Sequence, residues 1–161
     1  MPTTAKGLRY PNGSDSPNVA QYIQNLASDV DAQLGTTWTE HVRSSSALSV
    51  VATAFGVLHG PFSVTVPTGR RLHVEWSCPL IDVPAGTGMQ GRIVIGGTVE
   101  DAKYWSNSGT TSIGFGGWMS GTKVGTGASV SFQVEALKVG ASTPVASAAS
   151  IGFIIVRSRV E

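Results

Sequence analysis

The sequence predicts a mainly β protein: an antiparallel β-sandwich or jelly-roll-like head preceded by one short N-terminal helix. Three observations carry that expectation. Short apolar runs alternating with polar residues recur along the last three quarters of the chain. Gly, Pro, Ser or Asn breaks separate them. Only the stretch before Gly35 has helical spacing. Many short strands with regular turn signals are the pattern of a sandwich or jelly roll.

Residues 1–16 carry two prolines, two glycines and an Asn12-Gly13 pair, so they read as an extended or turn-like segment. Leu8, Tyr10 and Pro11 are the side chains there that can anchor it on another surface. Ser16-Pro17 is a helix start, a capping hydroxyl followed by proline at the first helical position, and Gly35 is a stop. Between them Val19, Ile23, Leu26, Val30 and, one place late, Leu34 follow heptad seam spacing for about two heptads. A helix of this length does not hold itself up alone in water. Its β-branched seam favours a trimeric bundle over a simple dimer.

Residues 36–45 read as a linker or a first short strand, and residues 46–161 as the head. Leu48–Phe55 reads as one continuous β-branched run. Phe62, Val64 and Val66 alternate up to Pro67-Thr-Gly69; Leu72, Val74 and Trp76 alternate against Arg71, His73 and Glu75. Gly91–Val99 centres on Ile93-Val-Ile95, Ser112–Met119 is glycine-rich, and Val130, Phe132, Val134 and Ala136 alternate again. In Ile151–Val156, Ile151, Phe153 and Ile155 take one face, and Ile154, Val156 and Val160 the other. A strand apolar on both faces points to a subunit interface, which makes Ile154 and Val156 candidate oligomerisation residues.

The bulk numbers narrow the function. The chain has 161 residues, enough for one domain and a short appendage. Only 13% are charged, the net charge is +1, and the one basic doublet of note is Arg70-Arg71, so no clustered basic face invites nucleic acid. No apolar run reaches the roughly 20 residues of a membrane-spanning helix, and the first twenty residues lack the apolar core of a signal peptide. Cys78 is the single cysteine, which excludes an internal disulfide and reads as an inert buried thiol.

Catalytic patterns are weak. His41, His59 and His73 lie far apart without metal-ligand spacing, so no metal or other cofactor is expected. Glu100-Asp101, the one adjacent carboxylate pair, reads as a solvated turn before Lys103. Gly86-x-Gly88-x-x-Gly91 matches the dinucleotide fingerprint as a string, but it leads into a strand, where no helix terminus holds phosphate. No enzyme activity is expected. Tyr104, Trp105 and Trp118, with the small polar residues of 106–108, are the candidate ligand-binding residues. Flat aromatic faces beside short hydroxyls and amides suit a saccharide, and the competing reading is that Trp105 and Trp118 close the core.

The lead Gly7-Leu-x-Tyr-Pro-x-Gly13, Asp15-x-Pro17 and Ile23-Gln-Asn-Leu-Ala-x-Asp-Val-Asp31 resembles the amino-terminal segment of tailed-bacteriophage virion appendage proteins, the minor tail and fibre-like proteins. The likeness covers roughly residues 5–35. It implies a virion location, attachment to other virion proteins through the lead, a trimeric stalk and a trimeric β-rich head; the aromatic residues Tyr104, Trp105 and Trp118 add a host-surface glycan as a candidate partner. A capsid decoration or head-fibre protein, or a carbohydrate-binding receptor module, is the alternative. The chain departs from long fibres in having no extended shaft, so a compact appendage fits better.

Overall fold

The computed structural model describes residues 23–25, 38–147 and 152–161. Residues 23–25 are helical, and Ile23 is exposed there. Val19, Leu26, Val30 and Leu34 of the seam, and Leu8, Tyr10 and Pro11 of the lead, lie outside the described residues.

Trp38–Val160 is one compact unit. Its strands are β1 (Thr39–Ser44), β2 (Leu48–Ser49), β3 (Gly56–Thr65), β4 (Arg71–Val83), β5 (Thr87–Ile95), β6 (Thr98–Asn107), β7 (Ile113–Val124), β8 (Ser129–Val139), β9 (Val145–Ser147) and β10 (Ile154–Val160). One antiparallel sheet has the order β1-β10-β4-β9-β2, with β7 on the other side of β4; the second has the order β3-β8-β5-β6. The mainly β expectation therefore holds, in a sandwich-like form.

Period-2 alternation places the core between the sheets. Leu72, Val74 and Trp76 of β4, Met89, Ile93 and Ile95 of β5, Phe132 and Val134 of β8, and Ile154 and Val156 of β10 belong to one buried cluster. Trp76 of the first sheet meets Trp105 of the second at 6.1 Å between ring centroids.

Two bulges tune this alternation in the first sheet. In β1, Glu40 pairs with Arg157 and Val42 with Val156, so His41 is the extra residue. His41 and Val42 thus both turn inward: the His41 ring packs against Phe62 and Phe132, and its Nε2 lies 2.8 Å from Ser158 Oγ. In β4, Cys78 pairs with Gly117 and Ile81 with Phe115, so two residues, Pro79 and Leu80, stand against one, Gly116. Pro79 sits in that bulge, where a residue without an N–H is tolerated. There β4 changes neighbour, from β10 along Leu72–Ser77 to β9 along Leu80–Asp82.

Several sequence expectations are corrected. Of the two readings of 36–45, linker or first short strand, the strand holds for Thr39–Ser44, which is β1 paired with β10. Leu48–Phe55 is not one strand. Only Leu48–Ser49 pairs, with β9; beyond it the Ala52 carbonyl accepts the Lys138 N–H, and Phe55 lies under the Arg92 guanidinium, 3.7 Å from the ring centroid. Glu100-Asp101 is not a turn. The turn is Gly96-Gly97, both at positive φ, which is the backbone a two-residue hairpin asks for.

Ile154 and Val156 do not form an outward face. Both are fully buried within their own chain, because β10 runs between β1 and β4 and the face shared with Val42, Val74 and Trp76 is the core face. The outward residues of β10 are Ile155, Arg157 and Arg159.

Candidate functional site

Tyr104 and Trp105 are neighbours on a strand, so they must point to opposite sides of it. Trp105 goes inward and is 9% exposed against Trp76; Tyr104 goes outward and is 56% exposed. Trp118 is also outward, but on β7 of the other sheet, opposite Ser77. The three aromatic candidates are thus not one surface. One closes the core, and the other two stand on different sheets.

The glycines of the 86–91 string explain how β5 admits the two β6 rings. A Cβ at Gly88 would lie 2.5 Å from Tyr104 Oη and 2.7 Å from Cε2, so the phenol ring lies across bare backbone. A Cβ at Gly91 would lie 3.0 Å from Trp105 Cζ3, on the inner side. The spacing that resembles a nucleotide motif serves aromatic packing.

Around Tyr104 is an open cleft of about 250 Å³, lined by Gly86, Thr87, Gly88, Tyr104, Ser106, Asn107, Ser108 and Val139. Its floor is fixed by Asn107, which is 2% exposed. Asn107 Nδ2 donates to the carbonyls of Val83 and Thr111, both at 2.7 Å, and Oδ1 accepts the Gly109 N–H at 2.9 Å. That amide is spent on holding the turn after β6. Ser106 and Ser108 are exposed at the rim. The cleft therefore offers one flat aromatic face, a phenol hydroxyl, two serine hydroxyls and a wall of glycine backbone.

A smaller hollow of about 120 Å³ is lined by Ser49, Val50, Val51, Ala52, Gly56, Val57, Leu58 and Ala136. It is aliphatic apart from Ser49, and no set of directional polar groups lines it.

Several titratable groups are engaged structurally. Glu100 pairs with Lys123 at 3.7 Å, and Asp101 Oδ2 accepts the Ser120 N–H, which ties the edge of β6 to β7. Arg92 pairs with Glu135 at 2.6 Å, and Gln133 also donates to Glu135. The Ser158–His41 contact has the distance of a nucleophile–base pair. Ser158, however, is 1% exposed, so its Oγ meets no substrate while the sandwich is closed. No pattern of residues points to this pair, because its members are 117 residues apart and the His41 bulge brings them together.

Burial lowers the pKa of His41 and His59 from the ordinary imidazole range, and raises that of the Cys78 thiol. Cys78 Sγ donates to the Leu80 and Ser147 carbonyls. Among the described residues no three of His, Cys, Asp and Glu gather as metal ligands do, and no helix is long and apolar enough to cross a membrane. A scan of protein-family models finds none that matches this chain, and a search among curated proteins finds no match.

Proposed function

We propose that this chain is a structural appendage protein of a tailed-bacteriophage particle that works by assembly and binding rather than by catalysis. Residues 1–16 dock on other virion proteins, the 17–34 helices join three copies, and the head is presented outward as a recognition module. The phage-like lead supports the address. Burial of Val19, Ile23, Leu26 and Val30 in a bundle contributes about 1.5–3 kcal/mol for each large side chain.

The strand order supports the module. β1-β10-β4-β7 against β3-β8-β5-β6 is the alternation of a jelly roll, an architecture that serves both capsid and lectin domains. This is analogy at the level of fold and leaves the ligand to the site.

The observation that carries the binding role is the Tyr104 cleft. An exposed ring held flat across Gly88, with the Ser106 and Ser108 hydroxyls beside it, is complementary to one sugar residue: C–H groups on the ring, hydroxyls to the rim. The test is a glycan array and host-cell binding with the whole protein and with Tyr104→Ala. Binding should fall at least tenfold in the variant while its unfolding midpoint stays that of the parent. Undiminished binding in a folded Tyr104→Ala protein would remove the cleft from the function. Electron microscopy of particles labelled with an antibody to the head locates the chain; label over the capsid rather than the tail would favour the decoration protein.

A further inference from the structure

The outward face of β1-β10-β4-β7 is laid out in rows by the strand register. One row runs Arg43, Ile155, Ser77, Trp118; the next runs Glu40, Arg157, Glu75, Ser120; a third runs Arg159, His73, Thr122. Arg43 bonds Glu40 through two nitrogens, both at 2.7 Å, and Arg157 Nη2 meets Glu75 at 2.8 Å. Three arginines thus interleave with two glutamates. Between and beside them stand Ile155, the exposed Trp118, and Phe153, which is 42% exposed with the Arg43 guanidinium 4.8 Å from its ring centroid. The pairing of rings with guanidinium groups over an apolar strip is the composition that interface centres favour.

The start of the head lies on this same face. Trp38, its first residue, carries the Arg157 and Arg159 guanidinium groups over its ring at 4.4 and 4.8 Å. Gly35, the stop of the proposed helix, is three residues earlier, a reach of at most about 10 Å of extended chain. The chain that leads back to the segment joined in the trimeric reading therefore enters the head on this face. The other sheet has its outward side partly taken up within the chain, by Phe55 against Arg92 and its ion pair with Glu135.

We propose that this outward face is the contact between heads, and that its occupant is a second copy of this chain. The inference rests on the trimeric reading above and adds to it: the heads are not independent lobes on a common stalk but touch through Phe153, Ile155 and the Arg–Trp38 ladder. In a three-fold ring each contact joins two different parts of this face; alternating charge signs let those parts meet without net repulsion, and the apolar strip is removed from water.

The experiment is dilution of the full chain followed by mass measurement in solution, for the parent, Ile155→Arg, Phe153→Ser, Val57→Ser and Ile23→Asp. Circular dichroism checks that each is folded. The parent should be a trimer. Ile155→Arg and Phe153→Ser should raise the concentration at which it dissociates at least tenfold, and Val57→Ser, an exposed valine on the other sheet, should leave it unchanged. Should Ile155→Arg fail to fold, Phe153→Ser decides alone. A trimer lost in Ile23→Asp but undisturbed by both face variants overturns the head contact and leaves the helical trimer standing. A parent that is monomeric at all concentrations overturns both, and equal weakening by Val57→Ser overturns the assignment to this face.

Discussion

His59 makes this fold sensitive to acid. It is 8% exposed on β3, its Nε2 has no hydrogen-bond partner, and burial holds its pKa below the ordinary value; His41, between Phe62 and Phe132, is shifted the same way. The folded chain therefore keeps both rings neutral, whereas the unfolded chain takes up protons from about pH 6.5 downward. Stability from this source is complete above about pH 6.5 and is lost as pH falls through the lower folded values. The urea midpoint should drop between pH 7 and pH 5, and the drop should be smaller in His59→Leu. An equal drop in the variant would clear His59. Neither shift was legible in the sequence, where His41 falls in the 36–45 stretch and His59 between the Leu48–Phe55 run and Phe62. Burial of His59 comes with irregular pairing of β3 to β8 on either side of it, and burial of His41 from the extra residue in β1. The Tyr104–Trp105 pair was half legible. Adjacency alone says that one ring goes in and one out, but not which, and Gly88 and Gly91 become informative only when they lie under the rings.

At the scale of elements, alternation was the reliable signal. Leu72-Val74-Trp76 and Phe132-Val134-Ala136 point inward as their spacing predicts, since one wrong step would move every apolar side chain to water. Strand β6 was hidden because its surface is polar: Glu100, Asp101 and Lys103 look like a loop until Lys123 and the Ser120 N–H supply partners. The last strand was legible as apolar on both faces but misassigned by face. Ile154 and Val156 are core, so Ile154→Ala should cost about 2–5 kcal/mol of unfolding free energy and leave the assembly of the folded protein unchanged. Denaturant unfolding monitored by tryptophan fluorescence, beside light scattering, separates the two effects. A loss of assembly with stability intact would restore the interface reading for that residue.

For the whole molecule, the boundary matters most. A head cut at residue 46, where composition changes, lacks β1 and leaves the flank of β10 unpaired over Ile154–Ser158. It also loses Val42 and the His41 ring from the packing around Phe132. A head beginning at residue 38 should melt as one cooperative unit, and one beginning at residue 46 should melt several degrees lower or fail to fold; identical melting curves would make β1 an ornament. The boundary was hard to see because β1 is short, bulged and mostly polar, and because the strand that completes it, β10, comes more than a hundred residues later.

That pairing of first strand with last sets a clock on synthesis. At a ribosomal rate of about 5–20 residues per second, β1 waits roughly 5–20 s after it is made before β10 exists to cover it. During that interval the nascent head has an open seam beside its core, and chains growing side by side offer one another the same vacancy. A short β1 with Glu40 and Arg43 pointing away from the core presents a poor template to a stranger while it waits. Its brevity and charge, unhelpful for recognising it in the sequence, are what let it wait safely.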